Sequence, residues 1–143
     1  MKYVVDTNVF NKLLDGKLEL TSLPSDGEFV ATHIQVDEIN NTSNPERRSR
    51  LQSQFASVAP TMEPTESMVL DVSRWDSCKW GDGVTLSVIK SDLDALNGSK
   101  ANNIHDALIA EVALKNGFVL LTCDRDLDEV ARKHGVKVHH YAT

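Results

Sequence analysis

Cysteine is scarce: Cys78 and Cys123 are the two in 143 residues. At 45 positions apart they make neither a disulfide framework nor a metal-binding pair, so both are expected as reduced thiols. Long apolar runs are lacking as well. No stretch approaches the roughly 20 apolar residues of a membrane span, and the N-terminus lacks the apolar core and small-residue cleavage site of a signal peptide. The expected setting is the cytoplasm, with no membrane partner. Positive charge is in deficit, 15 Lys and Arg against 21 Asp and Glu, for a net charge of −6. That excludes a protein holding nucleic acid by bulk charge alone. There is no Walker-type glycine loop, no GxGxxG and no GxSxG, and no internal repeat. What remains is ordinary globular composition, 41% hydrophobic and 25% charged, in a chain sized for a single domain, 1–143, with one real core.

Strand-then-helix units recur along the chain. Lys2 to Val5 reads as a short buried strand, and Val9, Phe10, Leu13 and Leu14 then fall at helical spacing before Gly16. Phe29 to Ala31 is a second strand, followed by THIQVDEI, in which Thr32 and Gln35 are spaced as a capping box. Pro45, at a first helical position, opens a helix through Phe55, while the two prolines of PTMEPTES, 60–67, predict a turn. A helix is expected from Thr65 past Trp75, broken by GDG at 81–83, after which Leu86, Ile89, Leu93 and Leu96 form an apolar stripe up to Asn97-Gly98. The clearest helix carries Ile104, Leu108 and Val112 on one stripe, with Ile109 and Ala113 beside it, and closes on Gly117. FVLLT, 118–122, reads as a central parallel strand, DLDEVARKHG as a short helix, and VKVHHY as a last strand. Alternating β and α with continuously apolar strands predicts an α/β fold, a parallel sheet covered by helices on both faces.

The acids gain meaning on this frame. Asp6 follows the first strand and Asp124 follows FVLLTC, so both stand at carboxyl ends of parallel strands, where open α/β sheets place their ligand crevice. Glu38 lies on the helix after the second strand, and Asp106 in the first turn or two of the clearest helix. Four carboxylates from four segments can converge on one sheet edge. Such acids repel, and shared protons or a bound cation relieve them. Hard divalent ions such as Mg²⁺ suit an all-oxygen cluster.

VVDTN at the start, Glu38 within VDEI, HDALIA at 105–110 and LLTCDRDL at 120–127 resemble the successive motifs of PIN-domain ribonucleases, in particular the single-domain VapC-like toxins of toxin–antitoxin pairs. The resemblance spans essentially the whole chain in the right order. It places the family's acidic positions on Asp6, Glu38, Asp106 and Asp124, its polar accessories on Asn8 and Thr122, and a secondary acid on Asp126. It implies a three-layer α/β/α sandwich and a Mg²⁺- or Mn²⁺-dependent endoribonuclease acting on RNA. Asp6 and Asp106 would hold one ion, Asp124 a second, and Glu38 would ligate or orient water. It also implies a homodimer and an antitoxin partner. The stretch 66–101, with RWDSCKWGDG, is longer than the compact toxin pattern.

Each reading has a plainer rival. Asp6 can cap the helix after it, Asp106 favours a helix dipole whatever its function, and Asp37 neighbours Glu38. Trp75 and Trp80 read as core or interface anchors, and with the stripe Leu86 to Leu96 they offer apolar surface to a second chain or an antitoxin helix. Arg47, Arg48 and Arg50 form one basic cluster, and Arg125, Arg132 and Lys133 are expected near the site edge, either set guiding a strand of RNA. Two alternatives stand beside the nuclease: a non-catalytic PIN-like module that binds RNA or protein, and a phosphotransfer protein of similar build, for which DTN lacks the second aspartate of a DxD motif.

Overall fold

The computed structural model describes residues 1–58, 60–66 and 84–142. Its elements run β1 (Lys2–Val5), α1 (Thr7–Leu14), β2 (Glu28–Ala31), α2 (His33–Asn40), α3 (Pro45–Val58), β3 (Thr61–Met62), α4 (Val84–Asn97), α5 (Asn103–Asn116), β4 (Val119–Thr122), α6 (Arg125–Lys133) and β5 (Lys137–His140). The five strands form one parallel sheet in the order β3-β2-β1-β4-β5. The chain leaves β1 in one direction to build β2 and β3, then returns to the other side of β1 for β4 and β5. That reversal sets a topological switch point between β1 and β4, and a crevice opens beyond their carboxyl ends.

The central strands are apolar on both sides because both faces are covered. Along β1 the side chains alternate. Val4 joins Val30 and Leu120 in a core closed by Leu86, Ile89 and Leu93 of α4, Leu108 and Ile109 of α5, and Val130 of α6. Tyr3 and Val5 join Leu121 on the opposite face, beneath Val9 and Phe10 of α1 and Leu51 and Val58 of α3. The register Tyr3↔Val119, Val4↔Leu120, Val5↔Leu121 keeps each set on its own side. The result is the α/β/α sandwich.

Local signals act as expected at several helix ends. The Thr32 hydroxyl accepts the Ile34 N–H at 3.1 Å, and Gln35 Oε1 accepts the Thr32 N–H at 2.8 Å, completing the capping box of α2. Gln35 Nε2 also donates to the Val5 carbonyl at 3.0 Å, tying α2 to the end of β1. Gly117 ends α5 with φ +68°, a left-handed turn that side chains with a Cβ resist.

Three expectations are corrected. The proline-flanked stretch predicted as a turn holds β3, two residues paired to Val30 and Ala31; at a sheet edge only one side needs backbone donors, so Pro60 and Pro64 can bracket it. Helix α5 is enclosed rather than striped, with Ala107 to Ala113 all buried, Glu111 included. The stripe on α4 is consumed by the protein's own core at Leu86, Ile89 and Leu93; only Leu96, 44% exposed, stays outside it. The helix expected around Trp75, with Cys78, Trp80 and GDG, lies outside the described residues.

Candidate active site

Four carboxylates reach the crevice from four elements. Asp6 follows β1, Glu38 is on α2, Asp106 is in the first turn of α5 and Asp124 lies two residues past β4. They line a single cleft of about 340 Å³, with Asn8 and Lys100 also in its walls.

Asp6 is not spent on its helix. It occupies the N-cap position of α1 but makes no side-chain capping bond. Its carboxylate, 4% exposed, accepts the Thr122 hydroxyl at 2.8 Å, and that hydroxyl accepts the Asp124 N–H at 3.0 Å. The Asp6 N–H donates to the Leu121 carbonyl at 2.9 Å. Asn8 Oδ1 accepts the Cys123 N–H at 3.1 Å. The carboxyl ends of β1 and β4 are thus cross-linked through Thr122 and Asn8. Asp124 does cap: its Oδ1 accepts from Asp126 N–H at 2.9 Å and Leu127 N–H at 3.2 Å, so the cap leaves the second oxygen unused. Glu38 Oε1 accepts the Thr7 hydroxyl at 3.3 Å.

The carboxylates share a burdened field. Burial, then the charges of Asp6, Asp124 and Glu38, push Asp106 up to about 9, with Lys100 pulling the other way. Burial and then Asp6 raise Glu38 to about 7, the Thr7 bond opposing. Asp6 rises to about 6, chiefly through burial, with Asp124 adding to it and the Thr122 bond lowering it. Desolvation and like charge both disfavour the ionised forms, and a divalent cation reverses both.

A sequence profile of the PIN domain matches residues 3–133. The chain belongs to the PIN domain family. PIN domains are in general nucleases and use divalent metal ions. The fold of this PIN domain is also that of solved structures. Over 99% of its length it superposes on 91% of a domain of a functionally unknown protein from Methanocaldococcus jannaschii DSM 2661, with TM-score 0.56 and 18% identity. A member of the VapBC family of toxin–antitoxin systems, VapBC-5 from Mycobacterium tuberculosis, matches over 98% of both chains with TM-score 0.54 and 17% identity. VapBC2 from Rickettsia felis, bound to a DNA fragment from their promoter, matches over 98% of both chains with TM-score 0.55 and 16% identity. No curated protein matches the chain.

The donor set fits a hard divalent ion. Every candidate donor is an oxygen, as Mg²⁺ and Mn²⁺ prefer. Among the described residues no group of three His, Cys, Asp or Glu is placed to hold an ion, although the acids feel one another's charge across the cleft. These observations agree if the ion keeps several waters and takes one or two carboxylates directly, the usual habit of Mg²⁺.

Of the basic residues expected to guide a strand, Arg125 opens α6 directly after Asp124 and is exposed but does not line the cleft, and the other five are engaged elsewhere. Arg47 donates to Asp15 and Asn11, both at 2.8 Å, Arg48 donates to the Thr42 carbonyl, and Arg50 pairs with Glu46. Arg132 pairs with Asp128 and Lys133 with Asp92. Both sit in the last turn of α6, about 10–12 Å along the helix from its start beside Asp124, so the site-edge expectation fails for them. Asp126 offers its backbone N–H to Asp124 and is not in the cleft wall. Sequence reasoning missed Thr7 and the amide-rich wall Asn97, Lys100, Asn102 and Asn103. Its signal was the run NGSKANN immediately before the helix that carries Asp106.

Proposed function

We propose that this PIN domain is a metal-dependent endoribonuclease that hydrolyses RNA phosphodiester bonds, and that it is the toxin of a toxin–antitoxin pair, working in the cytoplasm as a homodimer. The observation that carries the reading is the cleft itself: four acids from distant segments face it at the switch point, and Asp6 does so while forgoing its cap. A non-cutting module has no need to hold four mutually repelling carboxylates. The fold shared with VapBC proteins supports the toxin and antitoxin parts.

Bound Mg²⁺ or Mn²⁺ would supply positive charge for the phosphate and lower the pKa of an attacking water. Asp6 and Asp106 would be the holders. Thr122 fixes the Asp6 carboxylate by its 2.8 Å bond, and Asp124 offers the oxygen its cap does not use. Glu38, which accepts the Thr7 hydroxyl, would ligate the ion or orient the attacking water.

The test is cleavage of labelled single-stranded RNA by purified protein. Cutting should need Mg²⁺ or Mn²⁺, stop in chelator, and fall to background in Asp6→Asn and Asp106→Asn. Full activity in either variant, with contaminating nuclease excluded, overturns the assignment. Light scattering at micromolar concentration should report a dimer, and a strict monomer would count against the homodimer.

A further inference from the structure

Lys100 is the one basic side chain in the cleft wall among the described residues. It is exposed, and within those residues no carboxylate pairs with it, whereas Lys90, Lys133, Arg47 and Arg132 each hold an ion pair. It lines the same cleft as Asp106, and its charge pulls that carboxyl's pKa down.

That loop is built to a fixed shape. Gly98 at φ +77° and Ser99 at φ +64° are successive left-handed residues, a conformation that costs a serine about 1–2 kcal/mol. Their N–H groups both donate to the Asp94 carbonyl, at 3.0 and 3.2 Å. Beneath them Asn103, 1% exposed, donates to Asp94 Oδ1 and Asn97 Oδ1, both at 2.8 Å, and Asn97 returns a bond at 2.9 Å. The end of α4 is thereby locked to the start of α5. Asn102, at the N-cap position of α5, makes no capping bond with its side chain and lines the cleft instead.

We propose that Lys100 is a substrate-binding residue whose ammonium takes a non-bridging oxygen of a backbone phosphate next to the bond that is cut, with the Asn102 amide beside it. The inference rests on the nuclease reading above. The phosphate that is cut would lie at the acids, and Lys100, in the lining of the same cleft, holds its neighbour, giving register without sequence preference. A single ammonium contact of this kind reads nucleic acid as a chain of charges.

Steady-state cleavage of a fluorescein-labelled single-stranded RNA 12-mer in Mg²⁺ tests this with Lys100→Ala and Lys100→Arg. For Lys100→Ala, KM should rise about tenfold, the worth of one charge-assisted hydrogen bond, with kcat within about twofold. The slope of log KM against log salt should lose about 0.7, one single-strand phosphate contact, and Lys100→Arg should recover most of both. Anisotropy of the same RNA, with Ca²⁺ replacing Mg²⁺ and the strand checked for intactness, should show the same loss of affinity independently of turnover. If the wild type cuts and Lys100→Ala keeps its KM and salt slope, or only its metal requirement shifts, Lys100 merely offsets Asp106 and the proposal fails alone. If the wild type binds RNA without cutting, the nuclease reading fails and the anisotropy decides Lys100. If it neither cuts nor binds, both fall. Circular dichroism melts should coincide for all three proteins, because Lys100 is exposed.

Discussion

In the metal-free protein the Asp106 carboxyl keeps its proton to about 9, against an ordinary value of 3.8. The folded state therefore binds a proton that the unfolded chain releases. The stability this group contributes is complete below about pH 4 and is lost as pH rises through its folded value. Asp6 and Glu38, raised to about 6 and about 7, act in the same sense over narrower windows. Asp106→Asn removes the need to take up a proton on folding and should melt about 2–5 °C above wild type at pH 8 in chelator, with the gap closing toward pH 5. Saturating Mg²⁺ at about 100 times its dissociation constant should add about 2.7 kcal/mol to the wild type and little to the variant. An Asp106 that only favours its helix dipole predicts the opposite, a lower melting temperature and a full metal response. Thermal melts in chelator and in millimolar metal separate the two.

At the level of elements, Gln35 is the joint between the strand that delivers Asp6 and the helix that delivers Glu38. One amide serves both: Oε1 receives the Thr32 N–H, and Nε2 bonds the Val5 carbonyl. Gln35 is fully buried, so Gln35→Leu keeps the volume but strands a buried donor and a buried acceptor. The expected cost is about 2–4 kcal/mol in urea unfolding, with a fall in kcat as Glu38 loses its register to Asp6. A cost below about 1 kcal/mol would show that water or backbone replaces the joint. The capping box was legible in the sequence because Thr32 and Gln35 are three apart. The bond to Val5 spans thirty positions and was not, since no local pattern records which strand end a helix meets. β3 was hidden for a related reason, as two residues flanked by prolines become a strand only when β2 offers them an edge.

For the whole molecule, a net charge of −6 and a cleft of unpaired acids make the chelated protein repel RNA. Lowering monovalent salt should therefore not produce binding, whereas millimolar Mg²⁺ should, beyond the effect of NaCl at matched ionic strength. Anisotropy titrations under the two conditions check this; tight binding in chelator at low salt would mean a basic surface elsewhere carries the RNA. The sequence by itself determined the alternation of apolar strands and helices, and with it the parallel sheet, because a strand buried on both faces must be apolar throughout. It also determined that Asp6 and Asp124 end strands and that Asp106 begins a helix. Only the tertiary structure decided that β4 lies beside β1, which brings Asp124 and Thr122 to Asp6 across more than a hundred residues. It alone spent Arg47, Arg50 and Arg132 on surface ion pairs and brought the amide-rich loop with Lys100 into one cleft with the acids. Charge patterns are local, but which charges face each other depends on how distant elements pack.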